Sequence, residues 1–368
     1  MMFSRIKTLD NINGGECFKI ISDRLIYCDK KSNLICAEKQ RFKTIWKKKA
    51  ESIQIIKKNS NNKILVLSCE GFDEFTYVLD LEGRITNSFN FNIYPILGLK
   101  DFFFIHEAVQ EEIGIYNELE KKNLWRIKES FGGNCIGNRK YISYKKFDDL
   151  SIIITREIQT GKVHWKYSAS EIGKYKHYDA YLNPLEKEGE VRRLIGVFDG
   201  VLVVNISGGN TQYEGQIIGI DAENGKLLWQ IQNLNQRQIY HLRVNDAQTH
   251  LYALKDQEYL EISLGTAQIT KQKNLGEVLK YNGNAIKVID ITSKGEHLFF
   301  TAMYEGKTFS SGLLGAFNTQ TEKLDWIHDM EFGANCFFTA SSAPTVEGNR
   351  LYALDKAGTL HIFEREEK

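Results

Sequence analysis

"IIGIDAENGKLLWQI", residues 217–231, reads as two apolar runs around a polar turn, with Trp229 eight residues after Asp221. Isoleucine and leucine in the flanks suit half-buried strands. Asp221 can accept hydrogen bonds from backbone groups ahead of it and so start the turn. Gly225 falls where a bulged hairpin needs a positive φ, which glycine adopts without steric cost. The stretch therefore predicts a β-hairpin, and its recurrence decides the fold.

The same offset of eight runs from Glu157 to Trp165 in "REIQTGKVHW" and from Asn318 to Trp326 in "FNTQTEKLDW". It also runs from Asn117 to Trp125 in "YNELEKKNLW" and from Glu38 to Trp46 in "AEKQRFKTIW". These account for all five tryptophans of the chain, and Gly161 holds the place of Gly225. Two copies lack tryptophan: Asp80 in "VLDLEGRITNSF", whose turn is one residue shorter, and Ser263 in "EISLGTAQITKQ". Successive anchors lie 37 to 64 residues apart, most of them near 40. A period near forty built from strand-type segments marks propeller blades of about four strands each. Each tryptophan opens an outer strand, with a flat face available to a neighbouring blade.

The chain end, "GNRLYALDKAGTLHIFEREEK", reads as an eighth hairpin with Glu364 at the Asp221 position and no outer strand after it. "FSRIKTL", residues 3–9, reads as a lone strand ahead of the first complete unit. An unpaired sheet edge invites wrong pairing, and closure removes it. The expected fold is an all-β propeller of eight four-stranded blades, one domain over residues 1–368. Residues 3–9 are placed as the outer strand of the last blade. Seven blades is the alternative, should one weak copy be an insertion.

"GIDAENGKLLW" and "REIQTGKVHW" resemble the pyrroloquinoline-quinone-type propeller repeat, roughly A-x-D-x-x-T-G-K-x-x-W. The resemblance spans nearly the whole chain as a repeat architecture, and is specific at residues 217–231 and 153–167. It implies that Trp46, Trp125, Trp165, Trp229 and Trp326 dock onto small residues of the adjacent blade. The dehydrogenases of that family carry vicinal cysteines over the quinone, a calcium held by Glu, Asn and Asp, and a catalytic Asp. Here no two cysteines are adjacent. Their cofactor residues are therefore not carried over, and the expectation is a non-catalytic member with no cofactor and no metal. The family also includes a lipoprotein of outer-membrane protein assembly, which needs a lipidated N-terminal cysteine that this chain lacks near its start.

Charge supports a protein partner rather than a polyanion. Lys and Arg number 48 against 47 Asp and Glu, for a net of +1. That argues against bulk attraction to nucleic acid or an anionic membrane. No 18-residue apolar run is present, so no membrane-spanning helix is expected. The start, "MMFSRIKTLDNINGG", lacks the apolar stretch of a secretory signal, and cytoplasmic residence is the expectation. Cys17, Cys28, Cys36, Cys69, Cys135 and Cys336 form no CxxC pair and are read as free, mostly buried thiols.

No local motif points to catalysis. The eight histidines show no i, i+2 or i+4 pairing. "SGGN", residues 207–210, opens no helix and so lacks the geometry of a phosphate loop. "KTIWKKKAES", residues 43–52, reads as lysines on an exposed outer strand. The 64-residue gap between Glu157 and Asp221 is longer than one blade requires. It holds "SASEIGKYKHYDAYLNPLEKEGEVRR", residues 168–193, where Tyr175, His177, Tyr178, Asp179 and Tyr181 cluster. Exposed tyrosine with mixed charge suits recognition, because it offers a large contact area at low entropic cost. A smaller excess between Ser263 and Asn318 is placed in an extra hairpin at residues 302–312. The favoured function is non-catalytic binding of another protein, such as a toxin or effector that it would neutralise. The competing class is a carbohydrate-active hydrolase or lyase with acidic residues converging on the axial channel.

Overall fold

The computed structural model describes residues 2–366 apart from 15–16, 51, 71–72, 97–98, 108–109, 130–132, 138–139, 148–149, 179–182, 209–212, 307–311 and 331–342. Strands dominate, and consecutive strands pair antiparallel into sheets of four. The chain divides into two compact units, Glu16–Gln236 and Met1–Gly15 with Arg237–Lys368. The first unit carries five consecutive blades, at residues 18–49, 53–89, 92–128, 133–168 and 190–235. The second carries blades six and seven, at 243–274 and 280–329, and blade eight, which joins 345–365 to the N-terminal strand.

Burial explains the residue pattern within a blade. In blade five the middle strands Val201–Ser207 and Glu214–Asp221 are buried almost throughout, while the outer strand Leu227–Asn235 is largely exposed. A middle strand covered on both faces reads as a near-continuous apolar run. The core is accordingly a set of seams between sheets. Ile142, Ile153 and Trp165 of blade four meet Leu202, Val204 and Ile218 of blade five in one such cluster.

The seven complete outer hairpins share one plan of turn, one residue shorter at Asp80–Gly83. Each has a register shift immediately before the anchor residue, as between Gly219 and Ile220 or between Ala316 and Phe317. Each then places one residue at positive φ: Phe42, Gly83, Lys121, Gly161, Gly225, Ala267 and Glu322. The anchors open the turns as expected. Asp221 Oδ1 accepts from the Glu223 and Asn224 amides, and Asn318 Oδ1 from Gln320 and Thr321.

Glycine occupies the positive-φ position where a tryptophan of the preceding blade docks. Trp46 packs on Gly83, Trp125 on Gly161 and Trp165 on Gly225. A methyl group on Gly225 would lie 2.7 Å from the Trp165 ring. The indole N–H then donates to the carbonyl one residue after the anchor, Leu81, Ile158 or Ala222, at 2.9, 2.7 and 3.1 Å. Blade six has Lys271 in the tryptophan position, and blade seven has Glu322 in the glycine position. Lys271 Nζ donates to the equivalent carbonyl, Thr319, at 3.0 Å, and pairs with Glu322 at 3.5 Å. An ion pair there replaces the aromatic clamp.

The last blade is completed as expected. Phe3–Leu9 lies antiparallel to Leu360–Arg365, outermost in its sheet. Blade eight has no turn at its outer hairpin, because the two chain ends meet there. Phe3 fills that place: its ring lies 5.2 Å from Trp326, which also meets Phe363 edge-on.

Three expectations change. Trp326 packs on Phe3 and Phe363 rather than on a small residue of the next blade. Trp229 is half-buried, and the glycine that makes room for it is Gly219 of its own sheet. Of the segment expected to form an extra hairpin at 302–312, residues 302–304 end a strand of blade seven. His297–Tyr304 and Leu313–Asn318 are neighbouring strands of blade seven, and the added strand is Lys280–Tyr281 at its inner edge. Residues 307–311 of that segment lie outside the described residues.

Candidate functional site

The long segment between blades four and five folds as an element of its own. Ser168 caps a 3₁₀ turn over Ala169–Ile172, and Gly173 leaves it at φ 106°. Lys174–Tyr178 then pairs antiparallel with Pro184–Glu188 as a two-stranded sheet. The Gly189 amide donates to the Gly173 carbonyl at 3.0 Å and closes its base. Gly189 is required there, since a side chain would meet the Ala169 carbonyl oxygen at 2.4 Å.

Strand alternation divides the hairpin's side chains between two faces. Tyr175 and His177 share one face, with rings 6.4 Å apart and perpendicular. Tyr175 is buried, with only 3% of its surface exposed. Its ring lies beside Gly208, and its hydroxyl bonds Arg192 of the first strand of blade five. Burial, and secondarily Glu190, push the Tyr175 hydroxyl above the ordinary tyrosine range. Arg192 is held in turn by Ser207 and by Glu190 at 3.3 Å. Tyr175 is thus the anchor that seats the hairpin on blade five.

The opposite face carries exposed Lys174 and Lys176, with half-buried Tyr178. Lys174 pairs with Glu186 and Glu188 across the strands, at 3.8 and 3.7 Å. These exposed pairs add little stability, so the charges are available to another molecule. Leu185, across from His177 on the Tyr175 face, still has 47% of its surface exposed, and Tyr213 of blade five 67%.

The sequence expectation needs correction in one respect. Tyr175 is not exposed, and so it cannot offer its face to a partner as the hairpin is built. Tyr178 and His177 are half-buried, and Asp179 and Tyr181 lie outside the described residues. Leu185, Lys176 and Glu186 were not singled out by reading tyrosines as a cluster. Period-two reading of "KYKHY" would have placed Tyr175 opposite the lysines.

Several other polar groups tie strands and blades together. Glu129 accepts from Arg156 at 2.6 Å and lies 3.6 Å from Lys145, tying blade three to blade four. Asp290 accepts from Arg243 at 2.7 Å between blades six and seven. His361 pairs with Asp355 at 2.9 Å inside blade eight, and His297 with Asp325 at 2.8 Å in blade seven. Among the described residues, no group of three or more His, Cys, Asp or Glu is placed to hold a metal ion. No helix among them is long and apolar enough to cross a membrane.

A family model described as outer membrane protein assembly factor BamB matches residues 157–368. BamB from Moraxella catarrhalis superposes with a TM-score of 0.61 at 13% identity, covering 99% of this chain and 100% of that one. The computationally designed Ika8 protein gives a TM-score of 0.61 at 14% identity, over 97% and 99% of the two chains. Saccharomyces cerevisiae Sqt1 gives 0.65 at 11% identity, over 99% of each. At these identities the likeness shows the fold, an eight-bladed β-propeller. No curated protein sequence matches.

Proposed function

We propose a protein-binding role from this premise: the chain belongs to the propeller family described as outer membrane protein assembly factor BamB. The role is that of a non-catalytic scaffold that holds another protein through the hairpin at residues 174–188. One observation carries the reading. Blades four and five have four strands each without the hairpin, yet Tyr175 seats it, and it presents Lys174, Lys176 and Glu186 on one face and an exposed Leu185 on the other. Exposed charges and an exposed apolar side chain on one small element suit contact with another protein. Family membership supports the scaffold but names no partner for this chain, because function resides in sites grafted onto a fold. A toxin or effector neutralised by the propeller is one partner of the required kind.

Affinity capture from the native host tests this, with the wild-type chain and a variant carrying a Gly-Ser linker in place of residues 174–188. The expected result is one or more proteins enriched by the wild type and lost from the linker variant, both chains remaining folded. Equal recovery by the two chains would move the binding surface elsewhere. No enriched protein with either would remove the scaffold reading itself.

A further inference from the structure

Two residues beyond the tryptophan position, on the same face of the outer strand, several blades place a side chain against the next blade of the same unit. In blade four this is Tyr167, 3% exposed. In blade three it is Ile127, packed against the seam cluster of Trp125. In blade seven it is His328, stacked on Trp326 and edge-on to Phe363 at 4.9 Å. In blade six it is Lys273, whose charge meets Glu322 at 2.5 Å. In blade one it is Lys48. Lys48 is exposed, and among the described residues no carboxylate meets its charge.

A groove of about 340 Å³ lies open there, between blades one and two of the same unit. Buried Leu34, Val66 and Leu79 form its floor, exposed Ile85 stands on one wall, and Lys48 and Lys49 stand at the other. Lys49 already donates to the Lys31 carbonyl at 2.5 Å, and neighbouring Lys47 pairs with Asp29 at 3.6 Å. Trp46 packs against the same apolar cluster from below and is less buried than Trp125 or Trp165.

We propose that this groove is a binding site for a linear alkyl carboxylate. The chain lies along Leu34, Val66 and Leu79, and the carboxylate pairs with Lys48 as Glu322 pairs with Lys273. The size agrees with the lower end of small-ligand sites, which begin at roughly 300 Å³ and are mostly apolar with few polar groups. The chemistry selects the occupant. A cationic amphiphile would meet Lys48 and Lys49. A peptide would bury backbone amides against a lining in which Tyr77 offers the one side-chain hydrogen-bond acceptor, and unpaired buried amides are costly. An unsubstituted chain leaves nothing unpaired. The site is separate from the hairpin, and neither proposal depends on the other.

Decanoate is the probe, titrated below its micelle concentration into the full chain carrying ¹³C-methyl labels on Ile, Leu and Val. Saturable shifts are expected at the methyls of Leu34, Val66, Leu79 and Ile85. Decyltrimethylammonium at the same concentrations should give no saturable shift at these methyls. Lys48→Glu should weaken decanoate binding about tenfold or more, the loss of one charge-assisted contact and its replacement by repulsion. Lys43→Glu makes the same charge change outside the lining and should bind like the wild type. The proposal is overturned by shifts that do not saturate or that avoid these four residues. It is equally overturned by comparable binding of the cation, by undiminished affinity of Lys48→Glu, or by an equal loss in Lys43→Glu.

Discussion

Gly225→Ala and Trp165→Ala, made singly and together, test whether the repeat glycine exists for the indole of the preceding blade. Trp165 is 8% exposed and donates to the Ala222 carbonyl. Removing it should cost about 3–5 kcal/mol through lost burial and an imperfectly filled cavity. Gly225 sits at φ 79°, and a methyl group there would lie 2.7 Å from the ring. The left-handed backbone alone costs a non-glycine residue about 1–2 kcal/mol. That part is tolerable, since Lys121, Ala267 and Glu322 bear it at the same turn position. Pushing the indole out of its seat adds to it, at about the 1–3 kcal/mol typical of overpacking. With the indole already gone, Gly225→Ala should cost the backbone term only. The double variant should therefore be more stable than the sum of the singles by about 1–3 kcal/mol, the range found for residues in contact. Urea unfolding followed by circular dichroism provides the four free energies, provided the slopes agree. Additivity within about 0.5 kcal/mol would refute the docking argument.

Removing residues 1–9 should leave Leu360–Arg365 as a bare edge and uncover Trp326, lowering the thermal midpoint by about 5 °C or more; a truncated chain that melts like the wild type would contradict this. The hydrogen bond from Lys273, with the charges of Lys273 and Lys271, holds the Glu322 carboxyl below the usual glutamate range. Its stabilisation is complete above the ordinary glutamate pKa and is lost as pH falls through the lowered value, so Glu322→Gln should flatten the acid side of the stability profile; an unchanged profile would show that the Lys271–Glu322 clamp carries no weight. Tyr175→Ala should release the hairpin and speed proteolysis within residues 174–188 while the blades unfold at nearly the wild-type urea concentration; protection equal to the wild type would show that another residue seats it.

The repeat was legible because each hairpin is local. The anchor, the turn and the tryptophan fall within nine residues, and their spacing survives in sequence whatever surrounds it. The closing strand could also be read, since a chain ending without an outer strand and beginning with a spare one has few other ways to satisfy its edges. What could not be read depends on contacts between repeats. Lys271 and Glu322 look like ordinary surface charges until Thr319 is found at the place where other blades receive an indole. Trp229 carries the strongest copy of the motif, yet its indole rests on Gly219 of its own sheet, ten residues back. The site was half legible. The length of segment 168–193 announced an insertion, but its composition suggested exposed tyrosine. The outcome for Tyr175 turned on which strand face met Gly208 and Arg192, and only the fold decides that.

Cross-linking mass spectrometry on the chain bound to its captured partner tests the central claim most directly, because the hairpin carries Lys174, Lys176 and Lys187 close together. The account predicts that partner cross-links concentrate on these three lysines and that Leu185→Asp abolishes them along with capture. Partner cross-links confined to lysines of other blades, with capture unaffected by Leu185→Asp, would contradict it.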